Sequence, residues 1–266
     1  MPRLSFPTVA GAAHDTVVLM TAHGEAPAGI EARPLETMDQ LVEAGRVLAA
    51  YWGGDDGGMP PNLLRALAHT GNYVVGLYDG DRMVGASAAF FAEPAARSMH
   101  SHVTAVLPEH RARGLGRVLK EHQRQWALAR SVGRITWTFD PLVARNAHFN
   151  LAVLGATVTE YLVDHYGQMA DAANSGDETD RLFVTWAVAA ARPRDPEPAE
   201  VVASVAVPGD IEAIRRTAPS DAVRWRREVR ERFLELGARG LVVRGFDRER
   251  GYLFTAPPSR PPHGRA

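Results

Sequence analysis

The chain of 266 residues is 45% hydrophobic and 23% charged, a composition typical of one large folded domain or one domain with an appendage. It excludes wholesale disorder, a coiled coil and a collagen-like repeat. With 30 basic and 31 acidic residues, the net charge of -1 argues against a protein whose main partner is a nucleic acid. The absence of cysteine excludes disulfides, thiolate metal sites and a cysteine nucleophile.

The apolar periodicity predicts strands and helices between residues 29 and 190, after an Ala-, Pro- and Gly-rich extension at 1–28 with one short strand at 15–20. In chain order the predicted elements are a strand at 30–35, helices at 37–51 and 60–68, strands at 73–78 and 83–91, a strand at 100–107, a helix at 114–132, a strand at 135–139, a helix at 146–154, and strands at 157–163 and 182–188. Asp79-Gly80-Asp81 predicts a hairpin turn, and Gly133 is placed as the glycine that caps the 114–132 helix.

The C-terminal region begins with a proline-rich segment at 191–200 that is typical of a linker. Residues 201–255 then predict a β-α-β unit made of a strand at 201–207, a helix at 222–236 and a pair of strands. Charges of both signs alternate along the helix, which we interpret as a solvated or partner-facing surface. Residues 256–266 hold four prolines and predict a disordered tail.

The N-terminus lacks the basic segment and long apolar run of a secretory signal, so we expect a cytoplasmic protein. No apolar run approaches the roughly 20 residues that cross a bilayer, so we expect no membrane partner. Lys120 is the only lysine among 30 basic residues, a bias that indicates a GC-rich bacterial genome.

The segment that carries chemistry runs from His102 to Lys120, where an apolar strand stops at Pro108 and a basic turn opens a long helix. Unpaired N–H groups and the helix dipole make such a helix start a phosphate site. Gly114 and Gly116 would let a diphosphate approach the backbone without a Cβ in the way. Positive charge around this site is expected from Arg111, Arg113, Arg117 and Lys120. The alternative is an ordinary helix start with solvated arginines.

With Arg111-x-x-Gly114-x-Gly116, preceded by Val106-Leu-Pro-Glu, the sequence resembles the GNAT acyltransferase superfamily, where this motif grips the pyrophosphate of coenzyme A. A poorly characterised bacterial branch of predicted acyltransferases shares further segments, which are His100-Ser-His102, Trp137-Thr-Phe-Asp-Pro141, Arg145-Asn-Ala-His-Phe-Asn-Leu151, Tyr166-Gly167, Thr179-Asp-Arg-Leu182 and Trp225-Arg226. The resemblance implies an α/β fold with a mixed, mostly antiparallel sheet flanked by helices, here extended by the C-terminal β-α-β unit.

The resemblance also implies the reaction, which is direct transfer of an acetyl or other short acyl group from acyl-CoA to a small-molecule amine in a ternary complex. The acyl-CoA arm would lie between the strands at 100–107 and 135–139 and pair with strand backbone. The residues implied to bind it are Ala105, Val106, Leu107, Arg111, Arg113, Gly114, Leu115, Gly116, Arg117, Asn146 and Asn150. A homodimer is left open, and no resident metal is expected.

One position departs from the family pattern. Many relatives carry a tyrosine acid four residues before the glycine equivalent to Gly155, and this chain has Leu151 there. The candidates to protonate the leaving thiolate are then Tyr166, which is preferred, His148 and Tyr161.

Two histidines, His100 and His102, share one face of a predicted strand. Three roles are open for them: a structural role, a general base near neutral pH, or a two-histidine metal site. Asp140 either caps the turn after its strand or is catalytic, and Asn146 either caps a helix or contacts the cofactor.

Two other functions stay open at this stage. The missing tyrosine allows an acyl-CoA thioester hydrolase or decarboxylase that uses no amine. A non-catalytic CoA-binding module, with the C-terminal unit as its interaction surface, is the other alternative.

Overall fold

The computed structural model describes residues 27–53, 58–167 and 177–257. The expectations for the N-terminal extension and for most of the C-terminal tail therefore lie outside the described residues. No helix in the described ranges is long and apolar enough to cross a membrane.

The larger of two sheets has seven strands in the order β1-β2-β3-β4-β5-β7-β6. They are β1 (Ile30–Pro34), β2 (Tyr73–Asp79), β3 (Arg82–Phe91), β4 (Ser98–Val106), β5 (Arg134–Phe139), β6 (Thr157–Leu162) and β7 (Arg181–Ala187). Neighbouring strands are antiparallel except β4 and β5, which are parallel. The predicted mixed, mostly antiparallel sheet is confirmed.

Helices cover both faces of this sheet. They are α1 (Met38–Trp52), α2 (Pro61–His69), α3 (Leu115–Ala129) and the short α4 (Ala144–Ala147), which continues into a π-helical segment, His148–Val153. Thr37 starts α1 because its side chain and that of Gln40 cap each other's backbone N–H. Along β2, Val74 packs in the cluster that contains α1, and the next residue, Val75, packs in the cluster that contains α3. Since successive strand residues point to opposite faces, α1 and α3 lie on opposite sides of the sheet.

The prediction that Gly133 caps α3 was wrong. The helix ends at Ala129, and the left-handed residue after it is Ser131, with a φ of 57°. Gly133 instead joins two neighbouring segments, because its N–H donates to the carbonyl of Arg97 and its carbonyl accepts from the N–H of Val188.

The C-terminal unit has a three-stranded antiparallel sheet in the order β8-β10-β9. Its elements are β8 (Val201–Val205), α5 (Ile211–Thr217), α6 (Pro219–Ala238), β9 (Val242–Asp247) and β10 (Gly251–Thr255). The unit contains one helix more than expected. A signal for α5 was present, since Asp210 caps it through the N–H of Ala213 and Ile211 and Ile214 follow at helical spacing.

Helix α6 is not the solvated surface that its charges suggested. One stripe of it is buried, formed by Ala222, Arg226, Val229, Phe233 and Leu236. Phe233 packs against Tyr161 of β6, with ring centroids 5.1 Å apart, and the Tyr252 hydroxyl donates to the carbonyl of Pro141 at 2.7 Å. The C-terminal unit thus shares one apolar core with the α3 side of the larger sheet.

Candidate functional site

Strands β4 and β5 form a fork. They pair through three residue pairs only, of which His100–Thr136 is the last. Beyond that pair β4 continues beside β3 as far as Val106, and β5 continues beside β7 as far as Phe139. We call the meeting point of the two strands, at His100 and Thr136, the vertex of the fork.

A cavity of about 920 Å³ lies along this fork. Its lining includes Gly114 and Gly116 at the start of α3, Ser101 and Trp137 just beyond the vertex, and His102. The volume is within the range of clefts that hold cofactor-sized ligands. The cavity therefore connects the predicted phosphate site with the interior of the fork.

The turn that opens α3 is shaped by left-handed backbone. Ala112 has a φ of 63°, and Gly114, which precedes the helix, has a φ of 76°. A Cβ built on Gly116 would meet only the ring of Phe149, at 3.9 Å, so the space beside this glycine is open cavity. The amides of Leu115 and Gly116 lie in the first turn of α3, where helical N–H groups have no partner within the helix. This turn fits an anionic group.

The cations near this turn divide into two sets. Arg111 and Arg117 line the cavity, and the Arg111 guanidinium lies 5.6 Å from the ring centroid of Tyr51. Arg113 instead forms an ion pair with Asp79 at 3.0 Å and contacts His110 at 2.9 Å. Arg113 thus braces the turn against the β2–β3 hairpin, and two of the expected arginines are placed to meet a ligand.

The backbone of β4 faces alternately toward β3 and toward the fork. The N–H of Leu107 donates to the carbonyl of Val84. The carbonyl of Val103 accepts from the side-chain hydroxyl of Ser87, so both residues direct their backbone groups toward β3. A strand residue directs its N–H and its C=O to the same side, and the side alternates from one residue to the next. Ala105, two residues from both Val103 and Leu107, therefore also faces β3. Of the three residues expected to pair with an acyl-CoA arm, Val106 offers its backbone to the fork, and Thr104 joins it.

A β-bulge interrupts β4 at His102. Ala88 pairs with Val103 and Ala89 pairs with Ser101, so His102 is the extra residue on β4. No residue pattern in the sequence marks this bulge. His102 lines the cavity, and burial by its surroundings lowers its pKa.

His100 is held in a more enclosed position than His102. Its ring stacks on Phe183 with centroids 6.2 Å apart, and its Nδ1 lies 3.2 Å from the hydroxyl of Thr136. Burial, with smaller contributions from the charges of His102, Lys120 and His165, lowers the pKa of His100 to about 4. Both histidines are therefore neutral at neutral pH. In the described residues no group of three or more side chains of metal-binding type accompanies them.

The three candidate acids occupy different places. The Tyr166 hydroxyl lies 2.9 Å from that of Thr138, a cavity-lining residue, but Tyr166 itself is 42% exposed and is not part of the lining. Tyr161 donates to Asp180 at 2.6 Å, and its ring packs against Phe233 of the C-terminal unit. His148 lines the cavity, and its buried Nδ1 has no hydrogen-bond partner in the described structure. Burial and, to a smaller degree, the charge of Arg248 lower the pKa of His148.

The two candidate asparagines also lie at the cavity. Asn146 is inside α4, whose first turn has no side-chain cap, so its capping alternative was wrong. Asn150 is buried in the π-helical segment and accepts a hydrogen bond from the indole of Trp137 at 3.2 Å. Leu151, at the position of the usual tyrosine, is buried in the apolar core.

Asp140 caps the turn after β5, as expected, by accepting a hydrogen bond from the N–H of Leu142 at 2.9 Å. The same carboxylate also belongs to a buried ion cluster that sequence analysis did not foresee. We define the ion cluster as Asp140, Asp177, Arg215 and Arg226.

Lys120 is not among the charges around the phosphate site, which corrects the sequence-based expectation. It is 5% exposed and reaches the vertex, where its Nζ donates to the hydroxyl of Ser101 at 2.8 Å and to the amide oxygen of Gln123 at 3.2 Å. A signal for this placement was present, because Lys120 lies three residues before Gln123 on the stripe of α3 that faces the core.

Comparison with known proteins gives one matching family model and several similar structures. Residues 43–152 match the model of the Acetyltransferase (GNAT) family. A GNAT-family protein from Desulfovibrio desulfuricans has a similar structure, with a TM-score of 0.51 and 15% identity over 60% of this chain and 99% of that chain. The ribosomal-protein-S18-alanine N-acetyltransferase from Escherichia coli gives a TM-score of 0.49 at 16% identity, over 61% of this chain and 96% of that chain. A Salmonella typhimurium protein solved with acetyl-CoA gives a TM-score of 0.49 at 15% identity, over 64% of this chain and 99% of that chain.

No curated protein matches the sequence. At identities this low, the first of these structures supports the fold alone. The family match extends from α1 to the π-helical segment, so it includes the fork and the turn that opens α3. Over these residues the chain is similar to the acetyltransferases of the GNAT family.

Proposed function

We propose that the protein transfers an acetyl or other short acyl group from acyl-CoA to a small-molecule amine, by direct attack in a ternary complex. The observation that supports this most is the continuous cavity from the open turn of α3 to the vertex of the fork. A diphosphate fits one end, because Gly116 leaves room beside helix N–H groups. An extended arm with amide groups fits the other, because Thr104 and Val106 have backbone groups on that side.

The cofactor-binding residues in this proposal follow from their positions. Gly114, Leu115 and Gly116 present backbone to the pyrophosphate, and Arg111 and Arg117 add positive charge. Asn146 and Asn150 also line the cavity and are the proposed side-chain contacts to the arm. When bound, acyl-CoA supplies the activated acyl group as a thioester.

His102 is the proposed base. It lines the cavity, it lies at the bulge, and its lowered pKa keeps the imidazole neutral and ready to accept the amine proton. His100, enclosed between aromatic rings, is proposed to position His102, since their ring centroids are 6.3 Å apart. The backbone amide at the bulge is the proposed donor to the thioester carbonyl.

The experiment that tests this function is acyl-CoA consumption, read by free thiol, against a library of amines and amino sugars. Thiol release that depends on one amine class, with the acylated amine identified by mass spectrometry, supports the proposal. Release at the same rate without amine identifies a thioester hydrolase or decarboxylase instead. CoA binding without turnover across the library identifies a binding module.

A further inference from the structure

Lys120 lies at the innermost point of the fork. Ser101 and Trp137 are the first residues of β4 and β5 beyond the last shared pair. The Lys120 Nζ contacts both, at 2.8 Å from the Ser101 hydroxyl and 4.1 Å from the Trp137 ring centroid. Lys120 also belongs to the lining of the cavity. An arm that enters at the turn of α3 and follows the fork to its end therefore arrives at this nitrogen.

The length of the fork agrees with such a path. From Val106, near the mouth, to Ser101, at the vertex, β4 spans five residues, or about 17 Å at roughly 3.3 Å per residue. An extended pantetheine arm that followed this stretch would have its sulfur at the inner end. The sulfur would then lie at the same end of the cavity as the Lys120 Nζ.

Within the described residues the Lys120 Nζ contacts neutral groups, namely a hydroxyl, a side-chain amide oxygen and an aromatic ring. A buried ammonium without a counter-charge is costly, and burial accordingly lowers the pKa of Lys120 to about 7. If Lys120 served packing alone, an apolar side chain of similar shape in its place would make the protein more stable. The amine is therefore poised to change its protonation state.

Lys120 differs in chemistry from every arginine of the chain. Of its 30 basic residues, 29 are arginine, and the single lysine occupies this buried position. Arginine stays protonated at any physiological pH, whereas a buried lysine releases its proton readily. Among the basic residues, Lys120 is the one whose chemistry allows proton transfer.

We propose that the Lys120 ammonium is the acid that protonates the leaving thiolate of coenzyme A. The inference rests on the proposed acyl transfer. The amine nitrogen forms a bond to the acyl carbon and passes its proton to His102. The carbon–sulfur bond breaks with its electron pair on sulfur, and the Lys120 Nζ gives one proton to that sulfur. Neutral Lys120 regains a proton from water, and His102 returns its proton to water, once the products leave.

The acid strength of Lys120 suits this step. A thiol has a pKa of about 8.5, so an ammonium with a pKa of about 7 gives its proton to a thiolate in a favourable direction. A solvated lysine, at about 10.4, would retain it. The Tyr166 hydroxyl is bonded to Thr138, which lies on the opposite face of β5 from Trp137, whereas the Lys120 Nζ contacts Trp137 itself.

The decisive test needs no acceptor amine. The affinities of CoA and desulfo-CoA, which lacks the sulfur, are measured by calorimetry at pH 6.0, where Lys120 carries its proton, for the parent, Lys120→Met and Arg130→Met. Arg130→Met removes one charge from the exposed far end of α3 and is the matched control. We expect the parent and the control to prefer CoA over desulfo-CoA at least fivefold, and Lys120→Met to show a ratio below twofold. Equal ratios in the parent and in Lys120→Met overturn the proposal, whether or not an amine substrate exists.

A second test is kinetic and uses the amine that the library experiment identifies. We expect Lys120→Met and Lys120→Arg each to lower kcat by roughly 10²–10⁴ while CoA still binds. Recovery of most of the rate in Lys120→Arg means that charge alone suffices, and it overturns proton donation. An acyl adduct on Lys120, seen as added intact mass after incubation with acyl-CoA alone, makes the lysine a nucleophile and also overturns it.

The parent protein itself provides a check if Lys120→Met does not fold. Lys120 must be protonated to act as an acid, so kcat of the parent should fall as pH rises through the pKa of this ammonium. A kcat that stays level from pH 7 to pH 9.5 overturns the proposal. Failure of the proposed function is distinguished by an absence of amine-dependent turnover in the parent.

Discussion

Arg226 of α6 donates two hydrogen bonds to the carboxylate of Asp140, at 2.8 and 2.9 Å. Asp140 directly follows β5, so this pair links the C-terminal unit to one of the two strands of the fork. Arg226 also contacts Asp177 at 2.9 Å, and Arg215 contacts Asp140 at 2.6 Å. The ion cluster therefore fixes the position of the strand end that borders the cavity.

Arg226→Met should strongly destabilise the protein. Arg226 is 1% exposed, and its removal leaves carboxylates buried with fewer counter-charges. We expect the free energy of unfolding, measured in urea, to fall by about 3–5 kcal/mol. Arg224→Met, on the exposed face of the same helix, removes an ion pair with Asp221 and should cost less than about 1 kcal/mol. Similar losses in the two variants would show that the ion cluster is not the connection described.

The ion cluster should also make stability depend on acid. Burial alone would raise the pKa of Asp140, but the charges and hydrogen bonds of Arg226 and Arg215 outweigh it and hold the pKa well below its ordinary value. The stabilisation is fully present above about pH 5 and is lost as pH falls through about 4 and below, where the unfolded carboxyl binds a proton first. Urea midpoints from pH 6 to pH 3 should fall more steeply for the parent than for Asp140→Asn. Parallel slopes would contradict this assignment.

Gly116→Val should weaken CoA binding at least tenfold, or about 1.4 kcal/mol, in a protein that still folds. The added side chain would enter open cavity at a position without positive φ, so the fold has room for it and the ligand does not. Gly237→Val, on α6 with no neighbour near its Cβ position, is the matched control and should bind CoA like the parent. Calorimetry with CoA measures both, and unchanged affinity in Gly116→Val would remove the pyrophosphate from this turn.

His102→Gln should lower kcat by roughly 10²–10⁴ with CoA affinity nearly unchanged, as expected for a base. Because burial lowers its pKa, the base stays neutral down to below pH 6.5, and the parent rate should fall only under more acidic conditions. His100→Gln should instead lower thermal stability, since it removes a ring packed on Phe183 and a contact with Thr136. If His100→Gln folds and has a lower kcat than His102→Gln, then His100 is the base and His102 has the structural role.

Tyr166→Phe distinguishes the sequence-based acid from Lys120. From the sequence, loss of this hydroxyl would be expected to slow turnover by ten- to a hundredfold. In the structure the hydroxyl bonds to Thr138 and Tyr166 is partly exposed, so its loss should change kcat by about threefold or less. Steady-state kinetics across pH, with Lys120→Met measured alongside, decides between them.

The elements that sequence predicted well are those set by local pattern. The hairpin at Gly80 and the helix capped by Thr37 follow from turn and capping chemistry within a few residues. The positions that sequence misplaced depend on residues far apart in the chain. From the sequence, Lys120 is expected beside the phosphate site and Arg226 on a solvated or partner-facing helix. Their partners are Ser101 and Asp140, which only the folded sheet brings near them.

The fork also affects the local stability of the two parts of the larger sheet. Three residue pairs join the four strands β1–β4 to β5, β6 and β7, and one of them contains His100. With so few shared ladder bonds, the two parts of the sheet should open as separate cooperative units at a cost below that of global unfolding. An arm that pairs with β4 along the gap would act as an inserted strand between them. Amide exchange in β5 and β7, far in sequence from the turn at Gly114, should then slow when acyl-CoA is bound.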